Sequence, residues 1–177
     1  MNKLLIEQYK KIHSQLPYYG DSSDGGKWHD HVLSIASKFN CKKILDFGCG
    51  KGKFVLKLKN NGYEAVGYDP ALEEFSTFPS GEFDMVISTD VFEHLEEDTL
   101  NEELNQILQK NPNIIYLNIA TMEARHILPN GTNCHTLVKN EAWWLDKIST
   151  FFDNYEIIEH KITGGNMPSV IIILKIK

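Results

Sequence analysis

The sequence has only three cysteines in 177 residues, Cys41, Cys49 and Cys134, and no C-x-x-C pair among them. An odd number without paired spacing excludes a disulfide framework and gives no sign of a zinc site. No run approaches the eighteen or more apolar residues of a membrane helix, and residues 1–16 form a polar amphipathic mixture unlike a signal peptide. A cytoplasmic protein without a membrane partner is expected. There is no internal repeat and no shift of composition that would mark a second domain. Positive charge is scarce: 18 lysines and arginines stand against 24 acidic residues, for a net charge of −6. That balance argues against nucleic acid as a partner, because phosphate binding needs a basic footprint. The main local exception, Lys51, Lys53, Lys57 and Lys59, reads as the solvated face of a helix. A hydrophobic fraction of 42% is ordinary for one globular domain spanning residues 1–177.

The chain is organised around Lys43–Phe54, KILDFGCGKGKF. Ile44, Leu45 and Phe47 read as a short buried strand of a parallel sheet. Three glycines spaced two apart then turn the chain into a helix. Gly48 can make the tight turn, Gly50 lets backbone approach a ligand, and Gly52 lets the helix pack close to the strand. Cys49 fills a small position between them. A helix N-terminus is thereby aimed at an anion. The dinucleotide pattern would need glycine at Lys53, and the phosphate-loop pattern would need glycine at Phe47, so neither applies.

The pattern that fits, D-x-G-x-G-x-G over Asp46–Gly52, closely resembles the first motif of the class I S-adenosylmethionine-dependent methyltransferases, those of types 11 and 12 among them. The resemblance implies S-adenosyl-L-methionine as cofactor, its carboxylate suited to helix N–H groups and its ammonium to Asp46. A second strand, Tyr63–Tyr68, ends at Asp69, 17 residues past Gly52, where a carboxylate can accept hydrogen bonds from ribose hydroxyls. Phe83–Leu95, FDMVISTDVFEHL, is similar to the fourth-strand segment of the same family. That similarity places Asp90, Phe92, Glu93 and His94 near the reaction centre. The implied fold is a three-layer, Rossmann-like α/β sheet, mostly parallel with an antiparallel last strand. Residues 1–40 form an N-terminal helical or lid segment with Tyr18 and Tyr19 as lid aromatics, and 41–177 form the core.

The sequence departs from the family between Asp69 and Asp84, where only fourteen residues intervene. A crossover alone takes a dozen or more, so the third strand and its helix should be shortened or missing. Adenine is then expected against Pro70, Ala71 and one of Phe75 or Phe78; the alternative is that both phenylalanines cover the open sheet edge. Further along, residues 2–16, 28–39, 96–110 and 141–152 read as helices. Ile114–Ala120 reads as a strand, and Tyr155–Ile162 with Ser169–Ile176 as a terminal hairpin through TGGNMP. The loop from Tyr18 to Lys27 is read as a lid or a linker. Thr121–Thr136 leaves the carboxyl end of a strand, where open α/β sheets bind ligands, and is the expected acceptor loop.

Methyl transfer from a sulfonium needs positioning, desolvation and at times a base. The candidate bases are His94, then His135, then His126, each of which also reads as a plain loop hydrogen-bonding residue. His29 and His31 lie two apart and cannot share a helix face. The expected activity is methylation at oxygen or nitrogen of a small polar metabolite, such as a sugar or nucleotide-sugar, by a monomer or homodimer, with no metal assigned. Two alternatives stand beside it. One is a subunit that binds S-adenosylmethionine or S-adenosylhomocysteine without methylating and acts through a protein partner. The other rests on Asp90-x-x-Glu93-His94 with a distant loop histidine, which resembles the metal-binding pattern of small-RNA 2′-O-methyltransferases.

Overall fold

A computed structural model describes residues 2–20, 27–165 and 167–177. Positions 21–26 of the expected lid loop and Asn166 of the hairpin turn lie outside the described residues. The elements run α1 (Lys3–Gln15), α2 (Lys27–Lys38), β1 (Lys43–Phe47), α3 (Lys53–Asn60), β2 (Glu64–Tyr68), β3 (Met85–Thr89), α4 (Leu100–Leu108), β4 (Ile114–Ala120), α5 (Glu141–Phe151), β5 (Tyr155–Thr163) and β6 (Ser169–Ile176). The six strands form one sheet in the order β2-β1-β3-β4-β6-β5. Strands β1 to β4 pair in parallel, and β6 enters antiparallel between β4 and β5.

Strand alternation divides the core between two faces. On β4, Ile115, Leu117 and Ile119 face α4 and α5, joining Leu100, Leu104, Ile107, Trp144 and Ile148. Ile114 and Tyr116 face the other way, onto Val32, Ile35 and Ala36 of α2 and Phe54, Val55 and Leu58 of α3. All seven residues of β4 are buried, as a central parallel strand requires. Two helix starts follow from their capping residues: Asn2 accepts from the Leu4 N–H and Asn140 from the Trp143 N–H, each at 2.9 Å. Helix α4 begins later than expected, because residues 96–99 form a hydrogen-bonded turn with Thr99 N–H on the Glu96 carbonyl at 3.1 Å.

Among the described residues no strand or α-helix lies between β2 and β3. A single 3-10 turn, Glu73–Phe75, takes their place, so β2 is an edge strand. Phe75 packs with the α2/α3 face and Phe78 with the α4/α5 face. Helix α1 joins neither layer. Its Leu5, Tyr9 and Ile12 pack with Ala71, Leu128 and Cys134 in a third cluster across the carboxyl edge of the sheet. No helix is long and apolar enough to cross a membrane among the described residues.

Candidate active site

A cavity of about 480 Å³ opens at the carboxyl ends of β1, β2 and β3, within the size range of small-molecule sites. Its floor is the glycine turn after β1, and its far wall is the loop after β4. Asp46, Gly48, Cys49, Gly50, Asp69, Pro70 and Asp90 all line it. Gly52 does not, because it faces the Phe75 ring, which a Cβ there would strike. That contact gives Gly52 a packing role, against Phe75.

The carboxyls share a low-dielectric space. Asp46 is buried at 3% exposure, and burial, reinforced by the charge of Asp69, pushes its pKa up to about 7. Asp69 accepts hydrogen bonds from the Gly50 N–H (3.0 Å) and the Ala71 N–H (2.9 Å). Burial raises its pKa, while those two bonds and His13 oppose the rise. Asp90 occupies the left-handed region at φ 55°. Its N–H donates to the Asn118 carbonyl at 2.8 Å, and the Asn118 amide reaches its carboxyl at 3.5 Å. Open to the cavity yet walled by protein, that carboxyl is pushed up to about 6 by desolvation.

The turn itself keeps its own N–H groups occupied. Each N–H from Gly48 to Gly52 already has an acceptor within the protein: Tyr68 O for Gly48 (2.7 Å) and Cys49 (3.0 Å), Asp69 for Gly50, Gly20 O for Lys51 (3.1 Å) and Cys49 O for Gly52 (3.0 Å). The turn offers a ligand a flat backbone surface but not these donors. Gly50 must lack a side chain because a Cβ would collide with the Gly20 carbonyl, and its φ is +51°.

The N-terminal segment is folded over this floor. Tyr18, Tyr19 and Gly20 line the cavity, and the Lys51 ammonium donates to the Pro17 carbonyl. Earlier in the chain, within α1, the Tyr9 hydroxyl donates to the Cys134 carbonyl at 2.6 Å, tying α1 to the loop after β4. The expected adenine contacts divide: Pro70 and Ala71 line the cavity, whereas Phe75 and Phe78 do not. Phe78 instead packs on Tyr68, ring centroids 4.9 Å apart, under the Lys110 ammonium at 3.9 Å. With the third strand gone, the open sheet edge needs both phenylalanines as cover.

All three candidate histidines line the cavity, and two of them are close neighbours. The His94 and His135 rings meet edge to face at 4.8 Å. His94 Nδ1 lies 2.9 Å from the Cys134 carbonyl, and His135 Nδ1 contacts the Met122 carbonyl. A carbonyl only accepts, so each Nδ1 carries the proton and each Nε2 presents a lone pair. Burial, then the neighbouring His135, pushes the His94 pKa down to about 3, and burial lowers that of His135. His94 is therefore a weak base near neutral pH. His126 lies apart from that pair, against Tyr18 and Tyr19 at 5.9 and 5.8 Å.

Beside the pair lies Glu93, wholly buried. Its Oε1 accepts from the Ala120 N–H at 3.0 Å, and its Oε2 has no partner. One ligand atom from each of Glu93, His94 and His135 lies within 4.8 Å of the others. Three acceptors thus converge, and burial raises the Glu93 pKa well above its usual value. A proton on Glu93 relieves that conflict, and so would a divalent cation held by the three side chains. His29 and His31 diverge as expected: His29 stacks on Phe54 at 4.0 Å, while His31 contacts the Tyr116 hydroxyl at 3.2 Å.

Sequence reasoning missed Tyr9 and Arg125, which also line the cavity. Nothing local marks Tyr9, whose partner Cys134 is 125 residues away. The signal for Arg125 was its place within the expected acceptor loop.

No curated protein matches the sequence. Several solved structures share the fold. 1,6-Didemethyltoxoflavin-N1-methyltransferase from Burkholderia thailandensis aligns over 98% of this chain and 87% of its own, with a TM-score of 0.69 at 11% identity. Magnesium protoporphyrin IX methyltransferase from Synechocystis PCC 6803 covers 98% and 97%, at 0.67 and 12%. The methyltransferase domain of a bacterial Hen1 covers 84% and 97%, at 0.60 and 16%. The profile of a methyltransferase-domain family matches residues 12–156. This chain accordingly belongs to the methyltransferase-domain family and carries the class I S-adenosylmethionine-dependent methyltransferase fold.

Proposed function

We propose that this protein transfers the methyl group of S-adenosyl-L-methionine to an oxygen or nitrogen of a small polar metabolite, with a sugar or nucleotide-sugar as the favoured class. The observation that carries this reading is the single cavity in which Asp46, Asp69 and the glycine turn face the loop after β4. Ionised Asp46 suits the cofactor's ammonium, and the free lone pairs of Asp69 suit the ribose hydroxyls. Pro70 and Ala71 offer an apolar surface to adenine. The acceptor's lone pair attacks the methyl carbon as the carbon–sulfur bond breaks, and that bonding pair stays on sulfur. The acceptor's proton then passes to a base, for which His135 and His126 stand beside His94, whose basicity burial lowers. Enclosure under the N-terminal segment excludes water from the sulfonium.

Turnover of radiolabelled S-adenosylmethionine against a panel of sugars, nucleotide-sugars and other polar metabolites tests the reading. Label should move into a low-molecular-weight product. Cofactor binding with no turnover on any panel member would favour the non-methylating subunit instead.

A second reading has its own observation, the convergence of Glu93, His94 and His135 around an unpartnered carboxylate oxygen. Those residues would hold a divalent cation, with Asp90 nearby, and the cation would supply Lewis-acid activation of an acceptor hydroxyl, as on a ribose. Metal analysis of protein purified without chelator tests it. Stoichiometric metal, together with activity abolished by EDTA and label appearing in RNA, would favour this reading over the small-molecule one.

A further inference from the structure

We infer that Arg125 anchors the α-carboxylate of the cofactor, an inference that rests on the cofactor assignment just proposed. The N–H groups of the turn from Gly48 to Gly52 all bond within the protein and do not serve that carboxylate. The nearby carboxyls of Asp46, Asp69 and Asp90 attract the cofactor's ammonium and hydroxyls but repel its carboxylate. A cation suits that charge, and among the described residues no lysine lines the cavity. Lys51, the nearest on the turn, gives its ammonium to the Pro17 carbonyl. What remains is Arg125, the sole arginine in the sequence and a lining residue of the cavity. Among the described residues it has no carboxylate partner.

The loop holds this residue in place. The Asn133 side chain accepts from the Ala124 N–H (2.9 Å) and donates to the Ala124 carbonyl (3.0 Å). On the other side of Arg125, the His126 carbonyl accepts from the Cys134 N–H at 3.1 Å. Both neighbours are pinned, so the guanidinium projects from a fixed stretch of backbone. His126 packs on Tyr18 and Tyr19, and Gly20 beyond them rests on Gly50 and Lys51. This chain of contacts brings the arginine loop over the glycine turn, the end of the cavity where the amino-acid part of the cofactor belongs. A guanidinium can meet a carboxylate with two parallel hydrogen bonds, which an ammonium cannot.

The test is a calorimetric titration of the wild type, Arg125→Gln and Arg125→Lys with two ligands. One is S-adenosylhomocysteine; the other is its decarboxylated analogue S-adenosyl-3-thiopropylamine, which keeps the ammonium. A charge-assisted bidentate contact predicts that Arg125→Gln weakens S-adenosylhomocysteine about ten- to hundredfold while changing the analogue less than twofold, with Arg125→Lys in between. Unaltered S-adenosylhomocysteine affinity in Arg125→Gln would overturn the inference, and if methyl transfer fell at the same time the arginine would face the acceptor. Equal weakening of both ligands would also overturn it, as a sign of a structural role. If S-adenosylhomocysteine fails to bind the wild type, the cofactor assignment itself is wrong.

Discussion

The two walls of the cavity are built by different means. The wall from β1 and β2 is local: strand, glycine turn and helix follow within Lys43–Asn60, and Asp69 is drawn onto Gly50 from the next strand. The wall from α1 and the loop after β4 is assembled from distant parts of the chain, held by Tyr9 on Cys134 and by Asn133 on Ala124. The first wall has the chemistry for a cofactor that every member of such a family would use. The second carries His126, His135 and Arg125, and it meets Glu93 and His94 from the short turn after β3. A rigid common floor with a separately fastened roof lets one fold serve different acceptors.

The sharpest way to break the comparison is to remove a carboxylate from the floor. Asp69→Ala strands the Gly50 and Ala71 N–H groups and deletes the ribose acceptor. S-adenosylhomocysteine affinity should fall by about a hundredfold in a calorimetric titration, at roughly 1.5–3 kcal/mol for each hydrogen bond to a charged group. An unaltered affinity would mean that the floor does not hold the ribose.

Next in size is the pH response of Asp46. With its pKa pushed up to about 7 by burial and Asp69, the empty site is increasingly protonated below neutrality, and the proton competes with the ligand's ammonium. S-adenosylhomocysteine should bind about tenfold more weakly for each pH unit below 7, and Asp46→Asn should abolish that slope. The stability of the free protein changes in the opposite sense. A carboxyl whose folded pKa is raised favours folding at low pH and loses that contribution as pH rises from about 4 to 7. Asp46→Asn should therefore gain on the wild type across that window, by about 4 kcal/mol at pH 7.5 in thermal or urea unfolding.

Smaller effects separate the roof. Tyr9→Phe removes one hydroxyl from the Cys134 carbonyl and should cost about 1 kcal/mol of stability. Its distinguishing outcome is kinetic: methyl transfer should fall several-fold while S-adenosylhomocysteine affinity changes less than twofold. Smallest at the site is Phe78→Ala, which uncovers the sheet edge. It should lower stability by about 2 kcal/mol with cofactor affinity intact, because that ring packs on Tyr68 outside the cavity.

The same division explains what the sequence disclosed. Strand β4 and the helix after residue 140 were legible because apolar periodicity is a local signal, and the antiparallel entry of β6 was implied by the family resemblance. So was the missing third strand, since fourteen residues cannot hold a crossover. The self-bonded glycine turn was not legible, because its acceptors come from Gly20, Tyr68 and Asp69, and spacing along the chain says nothing about which carbonyl arrives first. Nor was the depressed basicity of His94, which depends on burial beneath α1 and on His135, 41 positions further along. Phe75 and Phe78 could be read as adenine contacts or as edge cover, and only packing decides between the two.

The central claim is that Asp46 and Asp69 bound a hollow fitted to an adenosyl sulfonium. Its most direct test is a calorimetric titration of the wild-type protein with S-adenosylhomocysteine at pH 7.5. The account predicts saturable one-to-one binding that is lost in the Asp46→Ala, Asp69→Ala double variant, with folding verified by circular dichroism. Absence of binding to the wild type, or equal binding to the double variant, would contradict it.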